Sequence, residues 1–282
     1  MIRLPGFLKV AAVLLADFLS AYAIFQDWNV ASVITGAIAF YVWLGGYLTL
    51  LKEGAVREKK LPNYERSRLK KAKKQLIQDV HQVSAANISN IKLYLIPGDC
   101  DMQATAYGAN CISVSKGTLD NTDSITLNAV LGHEISHILH LDAEFNRAIF
   151  ATILLACGGI SVVSYTVVAV IFLVFLVCSF FQSWLGVMAF KGTTKAVKGM
   201  FDLIGKSIVA LYHGIASCLN RAAEYRSDRY SARLGYGVQL AQFLSYAAPE
   251  SHRELTLTES LYRTHPSTPK RVARLEKYGP SK

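Results

Sequence analysis

Ala148 to Phe190 reads AIFATILLACGGISVVSYTVVAVIFLVFLVCSFFQSWLGVMAF, 43 residues without an Asp, Glu, Lys, Arg or His. As one helix it would be roughly 65 Å long at about 1.5 Å per residue. The hydrocarbon core of a bilayer is only about 30 Å thick, so even a steeply tilted helix does not fit it. Two spans folded into a hairpin do fit, with Gly158-Gly159 or the Ser161 to Thr166 segment as the turn. Buried helices of a soluble protein are the alternative, but these normally carry a polar face.

The rest of the chain agrees with a membrane setting. Its 282 residues are 52% hydrophobic and only 18% charged, which excludes disorder. A soluble globule carries about 25% charged residues. Phe7 to Phe25 is an apolar run broken by Lys9 and Asp17, and Val30 to Leu51 has no charge at all. Each is long enough to span. Asp17 is costly in lipid, so it is expected to face another helix or to lie near an interface. The first run lacks a small-x-small cleavage site and is followed at once by a second, so it reads as a retained span.

Charge sets the orientation. The formal net charge is +10, and Lys52 to Lys74 holds ten Lys/Arg against three Glu, or +7 of it. Lys191, Lys195 and Lys198 follow the last run, Arg3 and Lys9 lie at the first, and the inter-span links have no Lys or Arg. By the positive-inside rule both termini and both large polar segments are cytoplasmic. Lys52 to Lys74 then reads as a solvated juxtamembrane helix drawn to anionic lipid. A nucleic-acid patch is the rival reading, but the segment has only Tyr64 as an aromatic and no binding motif. Five cysteines form no C-x-x-C pair, and cytoplasmic and intramembrane positions predict free thiols.

Asn128 to His140 reads as a helix, with Thr122-Asp123-Ser124 offering N-cap groups. It contains His133-Glu134-x-x-His137. Histidines at i and i+4 share a helix face and can reach one metal ion. Glu134 is then placed beside a metal-bound water. Two unrelated surface histidines would share this spacing, but Val130, Leu131, Ile138 and Leu139 make the helix half-buried, and buried histidines need partners. A catalytic zinc takes a third protein ligand. Glu224 to Ala232 supplies a candidate in Glu224, with Asp228 one turn on to accept the free N–H of a ligand histidine. Alone, that segment would be an ordinary charged helix face. For Glu224 to meet His133 and His137, the intervening run must cross the membrane an even number of times, as a hairpin does.

HEISH, a hydrophobic hairpin, EYRSD, then Thr264-His265-Pro266 with Arg271 downstream resembles the HtpX-type membrane zinc metalloproteases, relatives of the CAAX prenyl proteases. Gln103-Ala104-Thr105-Ala106-Tyr107-Gly108 is similar to that family's Asn-Ala-x-Ala-x-Gly strand, with Gln103 where Asn is usual. The likeness runs from about residue 85 to 277. It implies one Zn2+ per chain on His133, His137 and Glu224, and Glu134 as general base. It implies Asp228 behind a ligand histidine, His265 as stabiliser of the transition state, and Arg271 as partner of His265. It also implies that Gln103, Ala104, Thr105 and Ala106 pair with an extended substrate.

The expected fold is α+β and mainly helical. Two N-terminal transmembrane helices (1–51) and the basic segment (52–74) precede a zincin-like cytoplasmic domain in two parts (75–147 and 191–282). A transmembrane hairpin (148–190) separates the parts and brings the span count to four. A small sheet is expected around Ile91–Ile96, Ala104–Tyr107 and Cys111–Ser115, and Lys195 to Asn220 should run straight into the Glu224 helix. The implied activity is zinc-dependent endopeptidase at the cell's inner membrane, acting on misfolded or damaged membrane proteins, with no nucleic-acid partner. A CAAX-type prenyl protease and a non-catalytic zinc scaffold are the alternatives. A structural zinc site is usually closed with Cys, and neither ligand motif contains one.

Overall fold

The structure is a computed structural model and describes residues 6–179, 185–247 and 265–278. It is mainly helical with one small mixed sheet. The chain divides into two compact units, one of residues 1–148 with 217–282, the other of residues 149–216.

The first unit opens with α1 (Gly6–Phe25) and α2 (Trp28–Lys52), packed on one another. Gln26 takes a left-handed conformation at the turn, and the Asp27 carboxylate accepts from the Asn29 and Val30 amides to cap α2. Asp17 is buried within this unit, as its cost in lipid predicts. The start of α1 sits close against the far end of the HEISH helix. A Cβ at Gly6 would lie 2.3 Å from the His140 carbonyl oxygen.

The basic segment differs from the simple solvated helix expected of it. It forms β1 (Val56–Arg57), a 3-10 turn (Glu58–Lys60) and the first half of α3 (Asn63–Val83), which runs unbroken past residue 75. Its apolar positions Leu61, Leu69 and Ala72 enter the core. Arg68 donates to the carbonyls of Leu119 and Thr122, and Lys73 to that of Ile91. Lys52, Lys59, Lys60, Arg66, Lys70, Lys71 and Lys74 remain exposed.

The sheet adds β2 (Lys92–Ile96), β3 (Ala104–Tyr107) and β4 (Cys111–Ser115), close to where the sequence places them. Its order is β1-β2-β4-β3, with β2 and β4 parallel and the other pairs antiparallel. Alternation turns Leu93, Leu95, Ile112, Val114 and Ala106 to one face. There they pack with Leu69, Leu76 and Val80 of α3 and with the helix carrying the HEISH motif. After α4 (Lys116–Asn121), Asp123 caps that helix, α5 (Ser124–Leu139), by accepting from the Thr126 amide at 2.7 Å. Eleven residues of α5 are buried. Leu141, at φ 51°, breaks it from α6 (Asp142–Ser179). The chain returns on α7 (Leu185–Arg233), and α8 (Gly237–Ala247) and α9 (Thr268–Leu275) close the underside of α5 through Ala129, Val130, Leu240, Phe243, Leu244 and Leu275.

The second unit is an antiparallel hairpin of α6 and α7. Phe150 meets Tyr212 near one end, and Phe172 and Phe175 meet Phe190 near the other. The turn is not at either expected place, because Gly158, Gly159 and Ser161 to Thr166 all lie inside α6. The hydroxyls of Ser161 and Thr166 donate to carbonyls one turn back, at 2.9 Å each, so a helix in an apolar setting keeps them. α6 is described as far as Ser179, and residues 180–184 lie outside the described part. Only Leu185 to Phe190 of the uncharged run therefore falls on α7. Lys191, Lys195 and Lys198 sit in the first half of α7 rather than after a span, while Glu224 sits near its other end. Among the described residues three helices, not four, are long and apolar enough to cross a membrane: α1, α2 and α6. The expected run of Lys195 to Asn220 into the Glu224 helix is present, as one continuous α7. Cys100, Cys111, Cys157 and Cys218 are free thiols.

Candidate metal centre

The 3.6-residue period of α5 stacks His133 and His137 on one face, with their Nε2 atoms 3.2 Å apart. On α7, Ala223, Glu224, Ser227, Asp228 and Ser231 are all buried, a stripe of small and acidic side chains at helical spacing. Small residues let α7 approach α5, and Ser231 donates to the Ala129 carbonyl at 2.7 Å. Glu224 is thereby placed with Oε2 3.4 Å from His133 Nε2 and Oε1 3.8 Å from His137 Nε2. The three donor atoms lie within 4.8 Å of one another.

Both imidazoles are oriented from behind. His133 Nδ1 lies 3.0 Å from Asp228 Oδ1, and His137 Nδ1 lies 2.9 Å from Asp142 Oδ2. Each aspartate is held in turn by an arginine. Arg271 donates twice to Asp228, at 2.9 and 2.6 Å, and its third nitrogen is 3.0 Å from Glu224. Arg226 pairs with Asp142. The sequence reading gave Arg271 to His265, whereas the fold commits its guanidinium to Asp228 and Glu224. His265 Nδ1 lies 3.0 Å from Glu224 Oε1, with most of its side chain exposed. Thr264 lies outside the described residues.

This donor set fits a divalent cation. Two imidazole nitrogens and a carboxylate oxygen converge, and a carboxylate stands behind each histidine, hydrogen-bonded to His137 Nδ1 and facing His133 Nδ1 at 3.0 Å without hydrogen-bond alignment, the usual surroundings of a zinc ligand. The electrostatics agree. Burial opposes a charged His133, but Asp228 and Glu224 outweigh it and raise its pKa to about 10. Burial likewise opposes an ionised Glu224, yet His133, His265 and Arg271 hold it well below the ordinary carboxylate range. A pocket that attracts positive charge this strongly suits a metal ion.

Glu134 is buried beside the cluster, and burial pushes its carboxyl above the ordinary range. It lines a cavity of about 410 Å³ with Ala104, Thr105, Ala106, His137 and His265. One wall is β3, the edge strand of the sheet. Gln103 passes its carbonyl to the Ser115 amide, so the antiparallel alternation turns the N–H and C=O of Ala104 and Ala106 to the open edge. The Gln103 side chain does not reach the metal site. It bonds Asp99 on the opposite face of the sheet. Asp142, Arg226, Asn146 and Asn220 were not foreseen. The last two line the cavity and share a 2.8 Å hydrogen bond. An acid five residues after His137 was the one available signal for Asp142.

Metal-assisted hydrolysis of a peptide chain is the chemistry this arrangement suits, and the class that combines it with apolar helices is the membrane metalloprotease. Residues 67–279 match Peptidase family M48, well over half the chain, and the protein belongs to that family. A protease HtpX homologue of Campylobacter curvus is 25% identical over 302 residues, covering 97% of this chain and 96% of that one. Protease HtpX of Legionella pneumophila (strain Corby) is 26% identical over 218 residues, covering 67% and 71%. The crystal structure of S. mikatae Ste24p shares the fold, with a TM-score of 0.51 at 17% identity. It is matched over 94% of this chain, which spans 62% of its length.

Proposed function

We propose that this protein is a zinc-dependent endopeptidase that hydrolyses peptide bonds on the cytoplasmic side of the cell's inner membrane. Misfolded or damaged membrane proteins are its substrates. The convergence of His133, His137 and Glu224 beside Glu134 and an open strand edge carries the reading. The seven exposed Lys and Arg side chains of residues 52–74 belong to the same unit as this site and favour anionic lipid at the cytoplasmic surface.

His133, His137 and Glu224 would hold the zinc ion. When bound, zinc supplies Lewis-acid polarisation of the scissile carbonyl and of water. An extended substrate pairs with the Ala104 and Ala106 edge of β3, which lays its backbone across the cavity. Glu134, raised by burial, takes a proton from the attacking water and passes it to the leaving amine. His265, exposed at the cavity, donates to the developing oxyanion.

Full-length protein purified in detergent tests this through metal analysis and casein cleavage. Glu134→Gln should keep its zinc and lose on the order of 10²- to 10⁴-fold in rate. Glu224→Ala should lose the metal itself. Casein cleavage by Glu134→Gln at the wild-type rate would remove the base assignment. Cleavage of a prenylated C-terminal peptide in preference to casein would favour the CAAX-type alternative.

A further inference from the structure

The wall of the site cavity is fixed to a membrane helix by a buried polar contact. The β3–β4 hairpin turns at Gly108, in the left-handed conformation at φ 68°. That turn lies against α2 at Gly46, where a Cβ would stand 3.0 Å from the Gly108 amide nitrogen and 3.3 Å from Arg147 Nη2. Arg147, near the start of α6, lays its side chain over Gly45 and donates from Nε to the Val42 carbonyl of α2 at 2.9 Å. Glu144, one turn earlier, is fully buried 3.6 Å from Arg147 Nη2 and beneath Gly108. Neither of its oxygens has a hydrogen-bond partner, nor has Arg147 Nη2. A second link runs from the Tyr107 hydroxyl to the Glu53 carboxylate at the end of α2, at 2.8 and 2.9 Å.

A buried, half-satisfied ion pair stabilises little compared with an apolar pair of the same shape. Its value lies in the geometry it enforces. Three elements meet here through backbone, glycine and one guanidinium, so none can slide without stranding a charge. The hairpin so held carries β3, whose Ala104, Thr105 and Ala106 line the cavity together with Glu134. We propose that Glu144 and Arg147, together with Gly46, are positioning residues that bolt the substrate-pairing strand to the second apolar helix, so that α2 sets where an extended substrate lies relative to Glu134. This rests on the proposed pairing of substrate with β3.

The test uses full-length protein in detergent and a fluorogenic peptide long enough to lie along Ala104–Tyr107. Gly46→Val crowds the contact from α2. The double change Glu144→Gln with Arg147→Gln removes the contact without leaving a lone charge. Both should keep wild-type zinc content and kcat while KM rises about tenfold, the effect of losing a pair of strand hydrogen bonds. Arg147→Lys, which keeps a cationic donor, should recover most of the KM. Amide exchange measured on the same proteins should quicken over residues 104–110 and stay at the wild-type rate over 124–139. Unchanged KM and exchange in both variants would overturn the proposal. So would zinc loss with faster exchange over both segments, which marks general loosening. If zinc-loaded wild type cleaves no peptide, the protease reading fails instead, and the exchange experiment still decides the bolt.

Discussion

The two histidines of α5 are supported alike in kind and differently in degree. Each leans on an aspartate that leans on an arginine. Behind His133, the Asp228 and Arg271 side chains are 3% and 9% exposed, joined by two parallel hydrogen bonds and tied further to Glu224. Behind His137, Asp142 and Arg226 are 13% and 25% exposed and joined by a single contact. The closed side binds ligand, support and third ligand into one block drawn from α5, α7 and α9. The open side faces the cavity, where His137 and Asp142 are part of the lining. Metal retention should therefore depend mostly on the first side, and contact with substrate mostly on the second.

The sharpest way to break this contrast is to make the same change on each side. Asp228→Asn should have the largest effect. It removes the carboxylate that takes two of Arg271's hydrogen bonds and leaves only Glu224 to face the buried guanidinium, and breaking a buried pair lowers unfolding free energy by up to about 3 kcal/mol. Zinc affinity, read by competition with a chelator, should fall by about 100-fold. Asp142→Asn should cost about tenfold in zinc affinity and less than about 1 kcal/mol in denaturant unfolding. Equal losses for the two variants would end the distinction. Arg226→Gln should be the mildest. Its partly exposed pair is worth about 0.5 kcal/mol, and a zinc affinity as low as that of Asp142→Asn would show the open side to be as tightly coupled as the closed one.

The same contrast explains what the sequence disclosed. His133, Glu134 and His137 are related by one turn of one helix, and Glu224 and Asp228 by one turn of another, so spacing alone carries them. Asp142 is as close to His137 as Asp228 is to His133, yet Leu141 at φ 51° stands between it and α5. No helical period crosses that break. Gln103 illustrates the opposite error. It belongs to the strand motif, but strand alternation sends its side chain with those of Thr105 and Tyr107 to the face away from α5. β3 was expected from its likeness to the family strand motif, with β2 and β4 beside it, whereas β1, with two residues, is too short to show a period. Counting charge located Lys52 to Lys74 but could not tell that Arg68 and Lys73 turn inward to carbonyls. The run Ala148 to Phe190 was read as two spans with a turn at Gly158-Gly159 or within Ser161 to Thr166, but these residues lie inside α6, where Ser and Thr hydroxyls are satisfied by carbonyls one turn back.

The close approach of Gly6 to His140 has a consequence for how this molecule can be handled. The first apolar helix begins against His140, the residue just past the helix that carries both ligand histidines, and the second supports the hairpin beside them. The N-terminal helices are thus not a detachable tether. A truncated fragment begun after Lys52 would have both ligand motifs and neither of these braces. It would be a water-exposed catalytic half with an uncovered hairpin rather than a smaller enzyme. For this chain, solubilising the activity means keeping the spans and replacing the lipid.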